Sequence, residues 1–191
     1  LNTAVTADLI CEKAPDVVVL ATGSKPIIPS AFVTDHEKVV LANEALLGKV
    51  SVGQSILVIG GGLTGAETAV FFAAHGHKVI LIEMTKDIAK DGALLPKIQL
   101  MQELKKNQVE IHLETRVLEV RENGVIIEEA DETKEITGID TIILAVGVKS
   151  YNPLEAELKD FSGEIEVIGD AKAVKNGFLD IRESFELGLM L

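Results

Sequence analysis

The chain has 191 residues, 47% of them hydrophobic, which is enough for one or two packed domains. Its net charge of −12, with no basic cluster, argues against nucleic acid or an anionic membrane as a partner. A single cysteine, Cys11, excludes an internal disulfide, a four-cysteine cluster and a CxxC redox pair, and with no signal peptide and no apolar run of 18 or more residues a soluble cytoplasmic protein is expected.

Residues 1–12 alternate weakly and then read as a short helix or turn, broken at Ala14-Pro15. Residues 17–21, VVVLA, form an apolar strand that ends in Thr22-Gly23. Pro26 and Pro29 make residues 24–32 an extended connector. Residues 35–47 carry helical periodicity around Val39, Val40, Ala45 and Leu46 and predict a short helix, after which Gly48 and Gly53 punctuate the chain.

The stretch 55–83, SILVIGGGLTGAETAVFFAAHGHKVILIE, carries the strongest pattern. Residues 56–59 are apolar, β-branched and too short for a helix, so they predict a buried strand. Gly60, Gly62 and Gly65 follow at fixed offsets. Helical spacing then takes over at Leu63, Ala66, Ala69, Val70 and Ala73, and Gly76 stops the helix. A second buried strand, 78–82, ends at Glu83, completing a βαβ unit of about 30 residues.

Each position has a physical task. Gly60 permits the tight turn, Gly62 lets a pyrophosphate approach the backbone, and Gly65 lets helix and strand pack closely. The helix presents unpaired N–H groups and about half a positive charge to phosphates. Glu83 lies where a carboxylate accepts hydrogen bonds from both ribose hydroxyls and repels a 2′-phosphate, which favours NAD over NADP. Lys86, just past the strand, is the feature that would suit a phosphate. The bland alternative is a glycine-rich turn that binds nothing.

Residues 84–95 read as a loop containing Gly92, and Pro96 opens a helix with Ile98, Met101 and Leu104 as its apolar stripe. A third strand is expected over 109–113. Residues 116–137 read as a β-meander, with a turn at Glu122-Asn123-Gly124, where Asn123-Gly124 is the hairpin signal, and a second, polar turn before 135–137. Residues 140–147, DTIILAVG, give another buried strand. Tyr151-Asn152-Pro153 breaks the pattern, 165–168 form a short strand running into Gly169-Asp170-Ala171, and 178–191 form an amphipathic helix with Ile181, Phe185, Leu187 and Leu189 apolar. Residues 1–25 echo residues 113–149, the second copy following a full βαβ unit. This leads to the expectation that a first nucleotide-binding unit, with its own glycine turn, preceded Leu1.

Ala21-Thr22-Gly23, the central GGGLTGAE (residues 60–67), the later LAVG ending at Gly147, and Gly169-Asp170-Ala171 occur in this order. Together they resemble the two-dinucleotide-fold flavoprotein disulfide reductase superfamily, which binds FAD in a split outer domain and NAD(P)H in an inserted one. The tail GDAKAVKNGFLDIRESFELG and the stretch GVKSYNPL look like the C-terminal module of the NADH:flavin oxidoreductase family related to 2-enoate and 2,4-dienoyl-CoA reductases.

The resemblance implies an α/β fold with a Rossmann-like NAD(H)-binding domain over residues 30–148. That domain carries a parallel sheet and a β-meander, and is inserted between incomplete FAD-domain segments over 1–29 and 149–191. It implies a longer parent with an FMN-carrying barrel and an iron–sulfur cluster, electrons passing from NADH to FAD, to the cluster, to FMN and to an activated alkene. The chain's partners would be NADH and that missing N-terminal region. Gly60, Gly61, Gly62, Leu63, Thr64, Gly65, Glu83 and Met84 match the NAD site. Glu67 matches an acid near nicotinamide and flavin. Ala21, Thr22, Gly23, Gly147, Gly169 and Asp170 match flavin-side positions, Asp170 at the ribityl or phosphate region. The sequence departs from the full pattern in lacking an FAD glycine turn, cluster cysteines and a barrel.

Plainer readings stand beside these. Glu67 also suits dipole compensation, Asp170 could cap the segment after it, and Arg182 fits a solvated charge. His36, His75, His77 and His112 show no metal spacing and read as surface or structural. Cys11 reads as a buried small residue, and Phe71 and Phe72 as core. No side chain is needed as acid or base. The rival readings are an NADH oxidase or other reductase of the superfamily, and a non-catalytic nucleotide-binding module.

Overall fold

An apolar run with no polar alternation needs cover on both faces, and Ile56, Leu57, Val58 and Ile59 receive it. The computed structural model describes residues 1–32, 37–90 and 92–191. Its elements begin with α1 (Ala7–Lys13), β1 (Val17–Leu20), β2 (Ser24–Pro26), β3 (Val39–Leu41), α2 (Ala42–Leu46), β4 (Ser55–Ile59), α3 (Leu63–Ala74), β5 (Lys78–Ile82) and α4 (Leu94–Lys106). They continue with β6 (Glu110–His112), β7 (Thr115–Arg121), β8 (Gly124–Glu129), β9 (Glu132–Thr137), β10 (Thr141–Leu144), β11 (Val148–Ser150), α5 (Pro153–Glu157), β12 (Glu164–Val167) and α6 (Gly177–Gly188). Two compact units result, Pro26–Gly147, and Leu1–Lys25 with Val148–Leu191. The fold is α/β, as its alternating runs predict.

In the Pro26–Gly147 unit a parallel sheet runs in the order β3-β10-β4-β5-β6. Ile56, Val58, Leu81 and Ile143 point to one face and pack with Ala66, Ala69 and Phe72 of α3 and Leu100 and Leu104 of α4. Leu57, Ile59, Ile82, Ile142 and Leu144 point to the other and pack with Val117, Val120, Val125 and Ile127 of the antiparallel β7-β8-β9 meander. Side chains alternate between two apolar layers, each buried Ile, Leu or Val contributing about 1.5–3 kcal/mol. In the other unit β1 pairs in parallel with β12 over a small core of Ile10, Leu20 and Leu158. No helix among the described residues is long and apolar enough to cross a membrane.

The structure corrects several readings. Val39 and Val40 belong to strand β3, not a helix. β-Branched residues in register with Ile142 and Ile143 of β10 gain ladder bonds that a lone helical turn lacks, and the helix shrinks to five residues in α2. Residues 33–36, with His36, lie outside the described residues. Helix α4 starts at Leu94, two residues before Pro96. The expected turn at Glu122-Asn123-Gly124 is present, but Asn123-Gly124 is not its centre. Arg121 pairs with Gly124, so Glu122 and Asn123 form the loop, and Gly124 sits in β8 where a Cβ would meet the Ile136 carbonyl oxygen at 1.8 Å. The mirror-image turn is the next one, where Ala130 (φ 52°) and Asp131 (φ 62°) join β8 to β9. Cys11 is exposed, because Ile10 takes the inward face of α1. Phe72 is core, but Phe71 is 42% exposed and meets Phe72 edge to face with centroids 5.1 Å apart. Helix α6 buries no residue, and Phe178, Ile181, Phe185 and Leu189 form a stripe at least 66% exposed.

Candidate functional site

Strand β4 lies between the strand visited next, β5, and one visited much later, β10. Where strand order reverses in an open parallel sheet, a crevice opens outside the carboxyl ends of the strands. The glycine turn sits there. Gly60 has φ 105°, a conformation that glycine adopts freely, and a Cβ on it would lie 2.5 Å from the Ala145 carbonyl oxygen at the end of β10. A Cβ on Gly65 would lie 1.8 Å from the Gly60 oxygen, so α3 reaches its closeness to the turn only with glycine there. A Cβ on Gly62 would meet nothing within 4 Å. Gly62 is also the N-cap of α3, with no side chain capping the helix and no acid in its first turn. The N–H groups of Leu63, Thr64 and Gly65 thus have no side-chain cap at the positive end of a twelve-residue helix, beside the open space over Gly62, which suits an anion.

The Glu83 carboxylate closes one side of this crevice. It accepts hydrogen bonds from the Gly61 N–H (2.6 Å) and from the Thr85 N–H (2.7 Å). Gly61 allows the approach, since a Cβ there would come within 2.8 Å of Glu83 Cβ and 2.5 Å of Ile88 Cδ1. The Gly61 carbonyl in turn accepts from the Ala89 N–H at 2.8 Å. Met84, 65% exposed, follows Glu83 and lines a polar crevice of about 370 Å³ with Leu113, Thr115, Arg116 and Glu129. Lys86 is exposed nearby in sequence, and Glu67 is exposed on α3, one residue beyond its first turn. Gly147 (φ 97°) ends the same edge past β10, its carbonyl bonded by the Ile27 N–H at 3.0 Å.

A charged cluster lies under the end of β5. His112 Nδ1 is 2.9 Å from Glu129 Oε1 and its Nε2 is 2.9 Å from Glu110 Oε1. Burial pushes the ring's pKa down, but bonds to and charges on Glu129 and Glu110 outweigh that and leave it raised. The same His112 contact, aided by Lys134, holds the Glu129 carboxyl at about 2.

The remaining sequence-predicted residues gather in the other unit. Ala21, Thr22 and Gly23 follow β1, and Gly169 and Asp170 follow β12 at the same ends of paired parallel strands. Gly23 (φ 74°) and Gly169 (φ 61°) both turn through the left-handed region. Asp170 accepts from Ser24 Oγ–H at 2.9 Å and from the Lys175 N–H at 3.1 Å, tying the two strand ends together. Glu183 accepts from the Gly169 N–H and pairs with Lys172 and Lys175, which hold its pKa down. Arg182 pairs with Glu186 on the solvent side of α6. Thus the structure brings Gly60, Gly61, Gly62, Leu63, Thr64, Gly65, Glu83, Met84 and Gly147 to one sheet edge, and Ala21, Thr22, Gly23, Gly169 and Asp170 to another. The sequence reading missed Thr85, Ile88, Ala89, Ala145 and Glu129, whose parts depend on contacts between separate elements that no motif encodes.

The chain is 34% identical over 93% of its length to an NADH oxidase of Thermoanaerobacter brockii, covering 30% of that protein. It is 30% identical over 98% of its length to a cinnamate reductase of Clostridium sporogenes, covering 28% of it. The solved 2-naphthoyl-CoA reductase, in complex with 2-naphthoyl-CoA, matches all of the chain with a TM-score of 0.90 at 30% identity, over 29% of its own length. The chain therefore spans less than a third of the length of each of these three relatives. The pyridine nucleotide-disulphide oxidoreductase family matches residues 9–172, and the chain belongs to that family of FAD- and NAD(P)-binding oxidoreductases.

Proposed function

We propose that the Pro26–Gly147 unit binds NADH across the carboxyl ends of β4 and β10, and that the residues after β1 and β12 form part of an FAD site. The observation that carries this reading is the open space over Gly62 at the uncapped start of α3, flanked by an acid at the end of the next strand. The N–H groups of Leu63, Thr64 and Gly65 bind the paired phosphates. Glu83 accepts from the adenosine ribose hydroxyls and repels a 2′-phosphate. The crevice beyond Met84 leaves room for the base.

In the other unit Gly23 and Gly169 keep the strand ends free of side chains, and Asp170 holds them in register while offering remaining lone pairs to the flavin's polar chain. The hydride chemistry belongs to the bound cofactors, the nicotinamide giving and the flavin accepting. The protein supplies position and charge, and no side chain described above has to move a proton.

The names of the relatives support two outcomes for the electrons. Cinnamate and 2-naphthoyl-CoA reductases support passage to an activated alkene or arene in a longer polypeptide, where FMN and an iron–sulfur cluster would lie outside these 191 residues. The 34% identity to an NADH oxidase supports direct oxidation of the flavin as the second reading. Cys11 is the one thiol here, so these residues contain no dithiol for disulfide reduction. Calorimetric titration with NADH and NADPH tests the proposal. NADH should bind and NADPH should bind more weakly, while Gly62→Val should abolish binding by filling the phosphate space. Unchanged affinity in Gly62→Val overturns the placement, and tighter NADPH overturns the cofactor choice.

A further inference from the structure

The backbone of Glu83 is held by the neighbouring strand junction. Its N–H donates to the His112 carbonyl at 2.9 Å, and its own carbonyl accepts from the Thr115 N–H at 3.0 Å. The strand end that carries the carboxylate is thus suspended from the junction of β6 and β7. That junction is tied to β8 by side chains. His112 Nδ1 meets Glu129 Oε1 at 2.9 Å, and the Thr115 hydroxyl, which donates to Leu113 O at 2.8 Å, lies 3.3 Å from the same carboxylate oxygen. Lys134 of β9 holds the other Glu129 oxygen at 3.1 Å. The second ring nitrogen of His112 faces Glu110 at 2.9 Å.

Ionised carboxylates only accept hydrogen bonds, so two of them at the two ring nitrogens call for a proton on each. Strand alternation fixes which charges face the ring. Ile111 lines the opposite, α4-facing groove with Lys97 and Lys105, so Glu110 and His112 point to the meander side. There the ring meets Glu110 of β6 and Glu129 of β8, with Lys134 and Glu132 of β9 behind Glu129. The β5 residues paired with this part of β6 are the uncharged Ile80 and Ile82, and Thr115 of β7 is uncharged. Glu114, Arg116, Glu128 and Asp131 line the neighbouring crevice with Glu129.

We propose that protonated His112, bridging Glu110 and Glu129, is a positioning residue for Glu83, so that the grip on the nucleotide's ribose weakens when the ring loses its proton. The proposal rests on the NADH reading above. A neutral imidazole has one N–H, so one of the two carboxylates faces a lone pair and that contact opens. Either way the link from β6 to β8 loses its charge. The folded-state pKa of His112 is raised, so the link is intact below the ring's ordinary value near 6.5 and fades as pH climbs through the raised one. Glu129, at about 2, stays ionised across that whole range.

The test is the NADH dissociation constant of the whole chain between about pH 6 and pH 9. The wild type should weaken by about threefold across that span, the scale of a partly exposed ion pair. His112→Gln, which does not titrate, should flatten the profile, and Glu129→Gln should weaken binding at the acid end and shrink the slope. An NMR titration of the wild-type His112 ring, with and without saturating NADH, needs no variant. Its midpoint should move to higher pH when NADH is bound. A His112→Gln profile that parallels the wild type, or a ring titration that NADH leaves unmoved, overturns the proposal. Absence of NADH binding at every pH overturns the parent reading and this one with it.

Discussion

Two of the roughly four acceptor positions on the Glu83 carboxylate already belong to the protein, one to the Gly61 N–H and one to the Thr85 N–H. The acid therefore shapes the glycine turn as well as facing the ribose. Glu83→Ala should weaken NADH by roughly 1.5–3 kcal/mol, the scale of hydrogen bonds to a charged group. It should also lower the urea midpoint of the chain, because two backbone donors lose their partner. Glu83→Gln keeps one acceptor oxygen and should lie between. A titration in which Glu83→Ala binds as tightly as wild type would remove the acid from the site. The tasks of Gly60 and Gly65 were legible in sequence because the positive φ of the first and the clash of the second with the Gly60 carbonyl are both local to the strand–turn–helix. That of Gly61 was not. It occupies a free position of the motif, and its constraint comes from Glu83 and Ile88, which reach it only once the two strands are paired.

At the scale of elements, apolar runs predicted strands well where both faces are covered, as in β4, β5 and β10. They predicted poorly where pairing alone decides, as in β3. The meander shows the same limit. The strong cue Asn123-Gly124 marks a place where a carbonyl of β9 passes too close for a Cβ, while the tightly twisted turn uses Ala130-Asp131, where polarity predicted a turn but nothing marked its mirror-image form. Left-handed conformation costs an alanine about 1–2 kcal/mol, whereas asparagine occupies it readily and is favoured at the first central position of such turns. Ala130→Asn should accordingly raise stability by about 0.5–1 kcal/mol, read as a higher urea midpoint with an unchanged slope. A lower midpoint would mean that this turn does not hold its mirror-image form in solution.

At the scale of the molecule the two units differ in how much they bury. The Pro26–Gly147 unit closes two apolar layers over a five-stranded sheet. The other relies on Ile10, Leu20 and Leu158 beneath a two-stranded sheet, a size that is marginal without further cover, and its longest helix exposes its apolar stripe. Local stability should follow that difference. In native-state hydrogen exchange the amides of β4, β5 and β10 should be the slowest, while those of β1 and β12 exchange much sooner. Adding NADH at about 100 times its dissociation constant stabilises whatever binds it by about 2.7 kcal/mol, so the slowest amides should slow roughly a hundredfold. Amides of β1 and β12 should keep their rates, because under the proposed reading their residues face the flavin and not the nicotinamide nucleotide. Exchange as slow in β1 as in β4 would contradict the core argument. NADH-dependent slowing confined to β1 and β12 would move the nucleotide to the wrong unit and overturn the assignment of the glycine turn.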